Sequence, residues 1–382
     1  MIRVGFRLIG GAAWQGGRNY LWNLLHAVTH HAAERIQPVL LLAPDEDAGD
    51  LEMRGVEIVR TDRRFDSPRV RTIGRVVELA TRCNPIEKHW VRKASLDVIS
   101  HGPPVGGVPS VAWVPDLQHR QLPHLASRRE HFMRDLLFRE MLRDARVVVT
   151  SSETTLRDLA AFYPAGRAER RVLRFVSQPR LSRERVLTVD QLRTKFRIPA
   201  RFFHLPNQLW KHKNHELVVD ALRSAPDAVV VATGPREDYR HAGVYGALMD
   251  RVKKNGLGDR FFHLGLVSFP ELISLMHHSV AVINPSRFEG WSSTVEEAKS
   301  LGKRVLVSDL DVHREQDAPR ARYFGVDDAT ALAHHMAAAW ETHDVREDEV
   351  AASAAAAALP DRTRAFADTY ASIVADALKG RR

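Results

Sequence analysis

The chain has 382 residues, 44% hydrophobic and 27% charged, with 56 lysines and arginines against 47 aspartates and glutamates, a formal net charge of +9. That length suffices for two domains with separate cores, and the composition is that of an ordinary globular protein. The single cysteine, Cys83, excludes an intrachain disulfide and fits a reducing cytoplasm, no apolar run approaches the length that spans a bilayer, and the charge favours anionic partners.

Short apolar runs alternate with helical stretches along the chain. Strands are expected at 2–8, 39–42, 56–59, 98–100, 111–114 and 147–150, and again at 201–205, 228–232, 260–264, 280–283 and 305–308. Met1 to Phe6 thus reads as a first strand and not as a signal peptide. A β/α alternation repeated twice implies two doubly wound α/β domains. The segment 175–189 has Pro179, several charges and no clear period, and is taken as the linker between domains 1–178 and 190–361. The alanine-rich tract 351–358 favours a surface helix. Pro360-Asp361 is expected to interrupt it, and 363–378 follows as an amphipathic helix with Phe366, Tyr370, Ile373, Val374 and Leu378 near helical spacing.

Several segments carry chemistry. Gly10, Gly11, Gly16 and Gly17 follow the first strand, where glycines let backbone approach a ligand, but their spacing is not that of a dinucleotide-binding fingerprint. His101 closes an earlier strand, and Asp116 and His119 follow the strand 111–114; a lone loop histidine is more often structural or solvated. Ser151-Ser152-Glu153-Thr154 reads as a helix N-cap. Basic residues concentrate at 60–92 and at 127–146. The second stretch sets Arg128, Arg129, Arg134, Arg139, Arg143 and Arg146 around Phe132, Leu136 and Leu142, a basic amphipathic pattern. It is either a solvated helix face or a seat on an anionic inner membrane. No nucleic-acid motif is present, so nucleic acid is not expected as a partner.

In the second half, Pro206 to His215 leaves the strand 201–205 and carries Gln208, Lys211 and Lys213. By itself a Lys-His-Lys run is a solvated loop, but its place between strand and helix suits a phosphate. The segment 284–298 joins the strand 280–283 to a helix and holds Glu289, Gly290, Trp291, Ser292, Ser293, Thr294 and Glu297, with seven residues between the two carboxylates. Loops leaving strand C-termini are where such sheets bind ligands, and a helix N-terminus offers free N–H groups to a diphosphate. The bland alternative is that Ser293-x-x-Glu296 and Thr294-x-x-Glu297 are capping boxes, worth about 1 kcal/mol.

The order Glu289, Glu297-Ala298, Leu301-Gly302-Lys303 and Ser308-Asp309, with Glu315 trailing, resembles the signature of retaining glycosyltransferases of family 4, the group 1 glycosyltransferases. Lys303-Arg304 stands where that family often has a residue followed by proline, a minor departure. The resemblance implies the GT-B fold, two Rossmann-like domains facing a cleft, with a C-terminal helix (362–382) crossing back to the first. It implies a nucleotide-sugar donor held by the second domain. There Glu297 would take the ribose, Glu289 the sugar hydroxyls, and Lys213 with Lys211 or Gln208 the diphosphate. Gln208 falls where many members have arginine, the clearest departure. Of the first domain it implies that His119 faces the transferred sugar, with Asp116, His101, Gly16 and Gly17 on the acceptor side. A glycan or lipid-linked acceptor is expected, in cell-surface polysaccharide or lipopolysaccharide synthesis, at the cytoplasmic face of the membrane.

Neither cofactor nor metal is expected. Asp309-x-Asp311 resembles the metal-holding pair of another glycosyltransferase class, but it sits where this family has Ser-Asp; His277-His278 and His334-His335 lack partners at zinc-ligand spacing. Two other readings stay open: a nucleotide-sugar epimerase on the same fold, and a non-catalytic sugar-nucleotide-binding module, which the neutral Gln208 keeps alive.

Overall fold

The computed structural model describes residues 1–10, 15–62, 85–105, 107–180, 186–238 and 240–379. Much of the first basic stretch and Gly11 lie outside them. The chain divides into two compact units. One comprises Met1–Arg120, Arg128–Val176 and Pro360–Arg382; the other comprises Gln121–Ser127 and Ser177–Leu359.

The first unit is built on seven parallel strands: β1 (Ile2–Arg7), β2 (Ile36–Leu42), β3 (Glu57–Arg60), β4 (Val98–Ser100), β5 (Ser110–Val114), β6 (Val147–Thr150) and β7 (Glu169–Val172), in spatial order β3-β2-β1-β4-β5-β6-β7. The central strands are near-continuous apolar runs, as a sheet covered on both faces requires. Helix α1 (Gln15–His31) follows β1, α2 (Arg128–Asp144) precedes β6, and α3 (Glu153–Phe162) follows it. Phe138, Met141 and Leu142 of α2 pack with Val114, Val148 and Leu159 in one buried cluster. Ser152 caps α3, accepting from Thr155 N at 2.9 Å, as its sequence indicates.

The second unit has six parallel strands: β8 (Phe203–Pro206), β9 (Val230–Thr233), β10 (Phe261–His263), β11 (Val282–Asn284), β12 (Val305–Ser308) and β13 (Ala321–Phe324), in order β10-β9-β8-β11-β12-β13. Helices α4 (His215–Leu222), α5 (Ser293–Ser300) and α6 (Asp311–Gln316) follow β8, β11 and β12. Leu205, Val219, Val230, Ile283 and Leu306 belong to its largest buried cluster. Strand order reverses between β8 and β11. In open parallel sheets ligands bind outside the strand ends at such a switch point.

Three expectations change. Two strands were not foreseen, β7 and β13, each at the outer edge of its sheet. Their sequences, Glu-Arg-Arg-Val and Ala-Arg-Tyr-Phe, carry the charges that edges tolerate and cores do not. Helix α1 begins at Gln15, so Gly16 and Gly17 lie in its first turn and not in a loop. The last two helices are one: α7 runs from Val345 to Lys379 with Pro360 inside it. A proline removes one intrahelical hydrogen bond, yet both flanks of Pro360 are held by packing. On the C-terminal side Phe366, Tyr370, Ile373 and Val374 are buried. On the other side the backbone of Ala351 comes so close to Gly302 that a Cβ there would sit 2.3 Å from the Ala351 carbonyl oxygen.

Candidate active site

The loops leaving β8 and β11 meet at the switch point. Lys213 Nζ lies 2.6 Å from Glu289 Oε1, and both side chains are about nine-tenths buried, 12% and 9% exposed. The two residues are 76 positions apart in sequence, so the sheet's topology creates the pair. Burial alone would push the Glu289 carboxyl up. The Lys213 ammonium, with help from His313 and the Ser286 hydroxyl, outweighs that and holds it below the usual carboxylate range. Ser286 Oγ lies 2.6 Å from Glu289 Oε1 and 2.7 Å from Asn284 Oδ1. The result is an ionised carboxylate fixed against a cation, with its second oxygen left for a ligand.

The turn that presents Lys213 is itself pinned. Asn214 takes a left-handed conformation (φ 57°) that asparagine tolerates, and its amide donates to Pro285 O at 3.1 Å and Val326 O at 2.9 Å. It thereby ties the loops after β8, β11 and β13 together. Arg287 N donates to His212 O at 2.8 Å. Gly234, after β9, is a glycine for a steric reason: at φ 135° a Cβ would sit 2.5 Å from Asn207 O. Nothing in the sequence alone marked Asn214 or Gly234, because neither carries chemistry.

Helix α5 opens differently from either capping box. Ser292 is the N-cap, its Oγ accepting from Val295 N at 3.3 Å and from Asn284 Nδ2 at 2.6 Å. Gln316, from α6, clasps the same residue, donating to Ser292 O at 2.9 Å and accepting from Ser292 N at 3.3 Å. Glu315, the expected trailing acid, is half-buried beside it. Thr294 Oγ1 reaches Pro206 O and Asn207 Oδ1, each at 3.4 Å. Gly290 is buried, and Trp291 and Ser293 are half-buried, on the same loop.

Glu297 is therefore free of the capping role. It is 5% exposed, and among the described residues its carboxylate has no hydrogen-bond partner. Burial pushes it up to about 7, opposed in part by the charge of Arg180. A buried acid with an unused pair of oxygens is suited to receive two hydroxyls. Gln208 is half-buried with no side-chain hydrogen bond, and Lys211 is exposed with no ion-pair partner, both among the described residues. These two can receive anionic oxygens without first breaking a contact.

Sequence reasoning missed His313. It is 1% exposed, and its Nδ1 donates to Ser308 O at 2.7 Å, which leaves Nε2 as an acceptor without a partner among the described residues. Burial holds the ring below the usual histidine range, against the pull of Glu289. A pocket of about 440 Å³ adjoins Lys211, lined also by Trp210, His215, His241 and Arg287. Neither Glu289 nor Glu297 lines it, and the switch point, not cavity size, locates the chemistry.

The first-unit candidates are placed less favourably. His119 is 1% exposed under α2, its Nε2 3.2 Å from Asp135 Oδ1 and 3.0 Å from Tyr163 OH. Burial and Arg134 favour its neutral form, opposed by Asp135. As placed, this ring joins a packed polar cluster through Nε2, while Nδ1 has no partner among the described residues. Asp116 accepts from Gln118 N at 3.0 Å and from Arg134 at 3.1 Å. His101 is also buried, its Nε2 2.7 Å from Tyr20 OH and its Nδ1 2.7 Å from Ser100 Oγ, which in turn accepts from Tyr370 OH at 2.7 Å. Burial takes it down to about 3. It anchors α7 to the end of β4. Gly17 is buried and Gly16 half-buried in α1.

Among the described residues there is no group of three or more histidines, cysteines or acids arranged to hold a metal ion. Asp309 pairs instead with Arg314, at 2.7 Å. Likewise no described helix is long and apolar enough to cross a membrane.

Residues 192–354 match the family of glycosyl transferases group 1. Among solved structures, the chain is similar to HepE from Anabaena in complex with UDP and glucose, at 18% identity and a TM-score of 0.69, with 98% of this chain and 100% of that one covered. It is similar to a glycosyltransferase from Rickettsia africae ESF-5, at 14% identity and a TM-score of 0.69, with 99% of each chain covered. It also resembles WaaG, a glycosyltransferase involved in lipopolysaccharide biosynthesis, at 14% identity and a TM-score of 0.58, with 96% of this chain and 95% of that one covered. A search of the curated proteins finds no match. At these identities the structural likeness shows the fold, two Rossmann-like domains of the GT-B architecture, and the match to group 1 glycosyl transferases falls on 192–354, within the second unit.

Proposed function

We propose that the protein transfers a sugar from a nucleotide donor to a hydroxyl of a glycan or lipid-linked acceptor, with retention at the anomeric carbon and without a metal. The observation that carries this reading is the Lys213–Glu289 pair, 2.6 Å apart where strand order reverses, with Glu297 unengaged on the adjoining helix. Glu297 takes the ribose diol and Glu289 the hydroxyls of the sugar. Lys213, Lys211 and the Gln208 amide meet the diphosphate. As the glycosidic bond breaks, its electron pair leaves with the diphosphate, where preorganised donors lower the barrier. The acceptor oxygen bonds to the anomeric carbon on the same face, and its proton passes to a phosphate oxygen. The relative from Anabaena holds UDP and glucose, which makes a uridine diphosphate sugar the first donor to try. A lipopolysaccharide or other cell-surface glycan acceptor, at the cytoplasmic face of the membrane, fits the basic composition and the likeness to WaaG.

The test begins with thermal-shift measurements on the full chain against a panel of nucleotide sugars. Turnover of the stabilising donor is then followed by NMR, which reports the anomeric configuration of the product. Glu289→Gln should bind nucleotide near normally and lose at least about 100-fold in turnover, the scale of removing one transition-state contact. Unchanged transfer by Glu289→Gln, or an inverted product, would defeat the reading.

A further inference from the structure

We propose that the outward face of α2 seats the chain on an anionic lipid surface. Every exposed residue of this helix is either arginine or apolar: Arg128, Arg129, Phe132, Met133, Leu136 and Arg139, followed by Arg143. At about 100° per residue they share roughly 140° of arc, so charge and apolar bulk are interleaved on one side. Phe132 is 66% exposed, Met133 50% and Leu136 40%. Three neighbouring large apolar side chains in water are not explained by the fold, because the helix is already anchored through Phe138, Met141 and Leu142 on its other side.

The charges point the same way. Arg128, Arg129 and Arg139 have no hydrogen bond or ion pair among the described residues. The acids of α2 are engaged: Asp135 with Arg120, Asp144 with Arg143, and Glu130 and Glu140 with partners of their own, Glu140 lying half-buried within the same arc. A solvated helix normally interleaves both signs on its outer side. A face whose fully exposed residues are arginines around an aromatic and two aliphatic side chains, with its half-buried acid Glu140 already engaged, matches a layer of phosphate headgroups over acyl chains. The guanidinium forks take phosphate oxygens while Phe132, Met133 and Leu136 enter the boundary region. The inference deepens the proposed function by giving a lipid-linked acceptor a surface, but lipid binding is measured without sugar transfer, so each can fail alone.

The test is co-sedimentation of the full chain with phosphatidylcholine vesicles, with and without phosphatidylglycerol, at low and high salt. Binding should require phosphatidylglycerol and weaken with salt. Replacing Arg128, Arg129 and Arg139 with glutamine should weaken it roughly a hundredfold, at about fivefold per arginine. The pair Phe132→Ser and Leu136→Ser should weaken it about tenfold or more. All substitutions are on exposed positions, and thermal melts should match wild type. Wild-type binding indifferent to phosphatidylglycerol overturns the proposal, as does undiminished binding by the arginine variant. So does a dimer in sedimentation velocity that Phe132→Ser breaks while vesicles are ignored, which would make the face a contact between copies.

Discussion

At the residue scale the two carboxylates of the site are driven in opposite directions by the same cause. Both are buried, but Glu289 has Lys213 at 2.6 Å and stays ionised, whereas Glu297 has no such neighbour and rises to about 7. The consequence for stability follows from sign. Above 4.5 the unfolded chain gives up this proton while the folded chain keeps it until about 7. Glu297 thus subtracts stability as pH rises through that window, and the deficit is complete above it. Binding has the opposite slope. A ribose diol donates hydrogen bonds and prefers the carboxylate, so nucleotide affinity should climb as pH rises toward about 7 and level off beyond it, with a proton released on binding near neutrality. Calorimetric titration of the nucleotide in buffers of different ionisation enthalpy reads that proton directly. Glu297→Gln should flatten the pH profile; a profile as steep as wild type would show that another group governs it. The carboxylate pair and Lys213 were legible in the sequence because their residue types and spacing carry chemistry. Asn214, Gln316 and His313 were not, because their roles exist only once the loops after β8, β11 and β12 are brought together.

At the element scale the junction of α5, β12 and α7 shows how a departure in sequence is absorbed. Lys303 is 3% exposed, and its ammonium donates to Ser279 O at 2.7 Å and to Asp348 at 2.5 Å. Arg320 and His343 meet the same carboxylate at 2.6 Å and 3.3 Å. What looked like a minor substitution for a residue-proline pair is a buried cation that ties the start of α7 to the second unit. Burial alone would raise Asp348, but His343, Lys303 and Arg320 together hold it well below the usual carboxylate range. Its stabilisation is therefore fully present above about pH 4, where the unfolded carboxylate is ionised, and fades as pH falls toward the lower folded value. Asp348→Asn should cost roughly 3 kcal/mol near neutral pH, because it strands a buried lysine. Urea denaturation should also find that the difference from wild type shrinks in acid. Gly302 supplies a second check. Its φ of 68° and the Ala351 backbone beside it leave no room for a side chain. Gly302→Ala should destabilise by about 1–3 kcal/mol, the cost of strained backbone; a neutral result would mean that α7 does not rest there. The alanine tract was legible as helix, but not as the smooth surface this contact needs.

At the scale of the whole molecule, two sheets with strand orders β3-β2-β1-β4-β5-β6-β7 and β10-β9-β8-β11-β12-β13 each reverse direction once, beside the strand that comes first in sequence. This repetition is why the fold could be read from alternating apolar runs, while the charged outer strands β7 and β13 escaped. The site, by contrast, is asymmetric. The reversal in the second unit collects Lys213, Glu289 and Glu297. At the reversal in the first, His101 after β4 is buried in a hydrogen-bonded chain with Tyr20, Ser100 and Tyr370. Nucleotide should therefore stabilise one unit directly. Anything that binds only the folded form adds about 2.7 kcal/mol at a hundredfold excess over Kd, and that gain should be read first where the contacts are. Hydrogen exchange with saturating UDP should slow amides in 206–214 and 284–298, while β2 and β5 in the first unit keep their rates. Equal protection of both sheets would mean that the two units unfold as one cooperative body, and protection confined to the first would place the nucleotide on the wrong sheet.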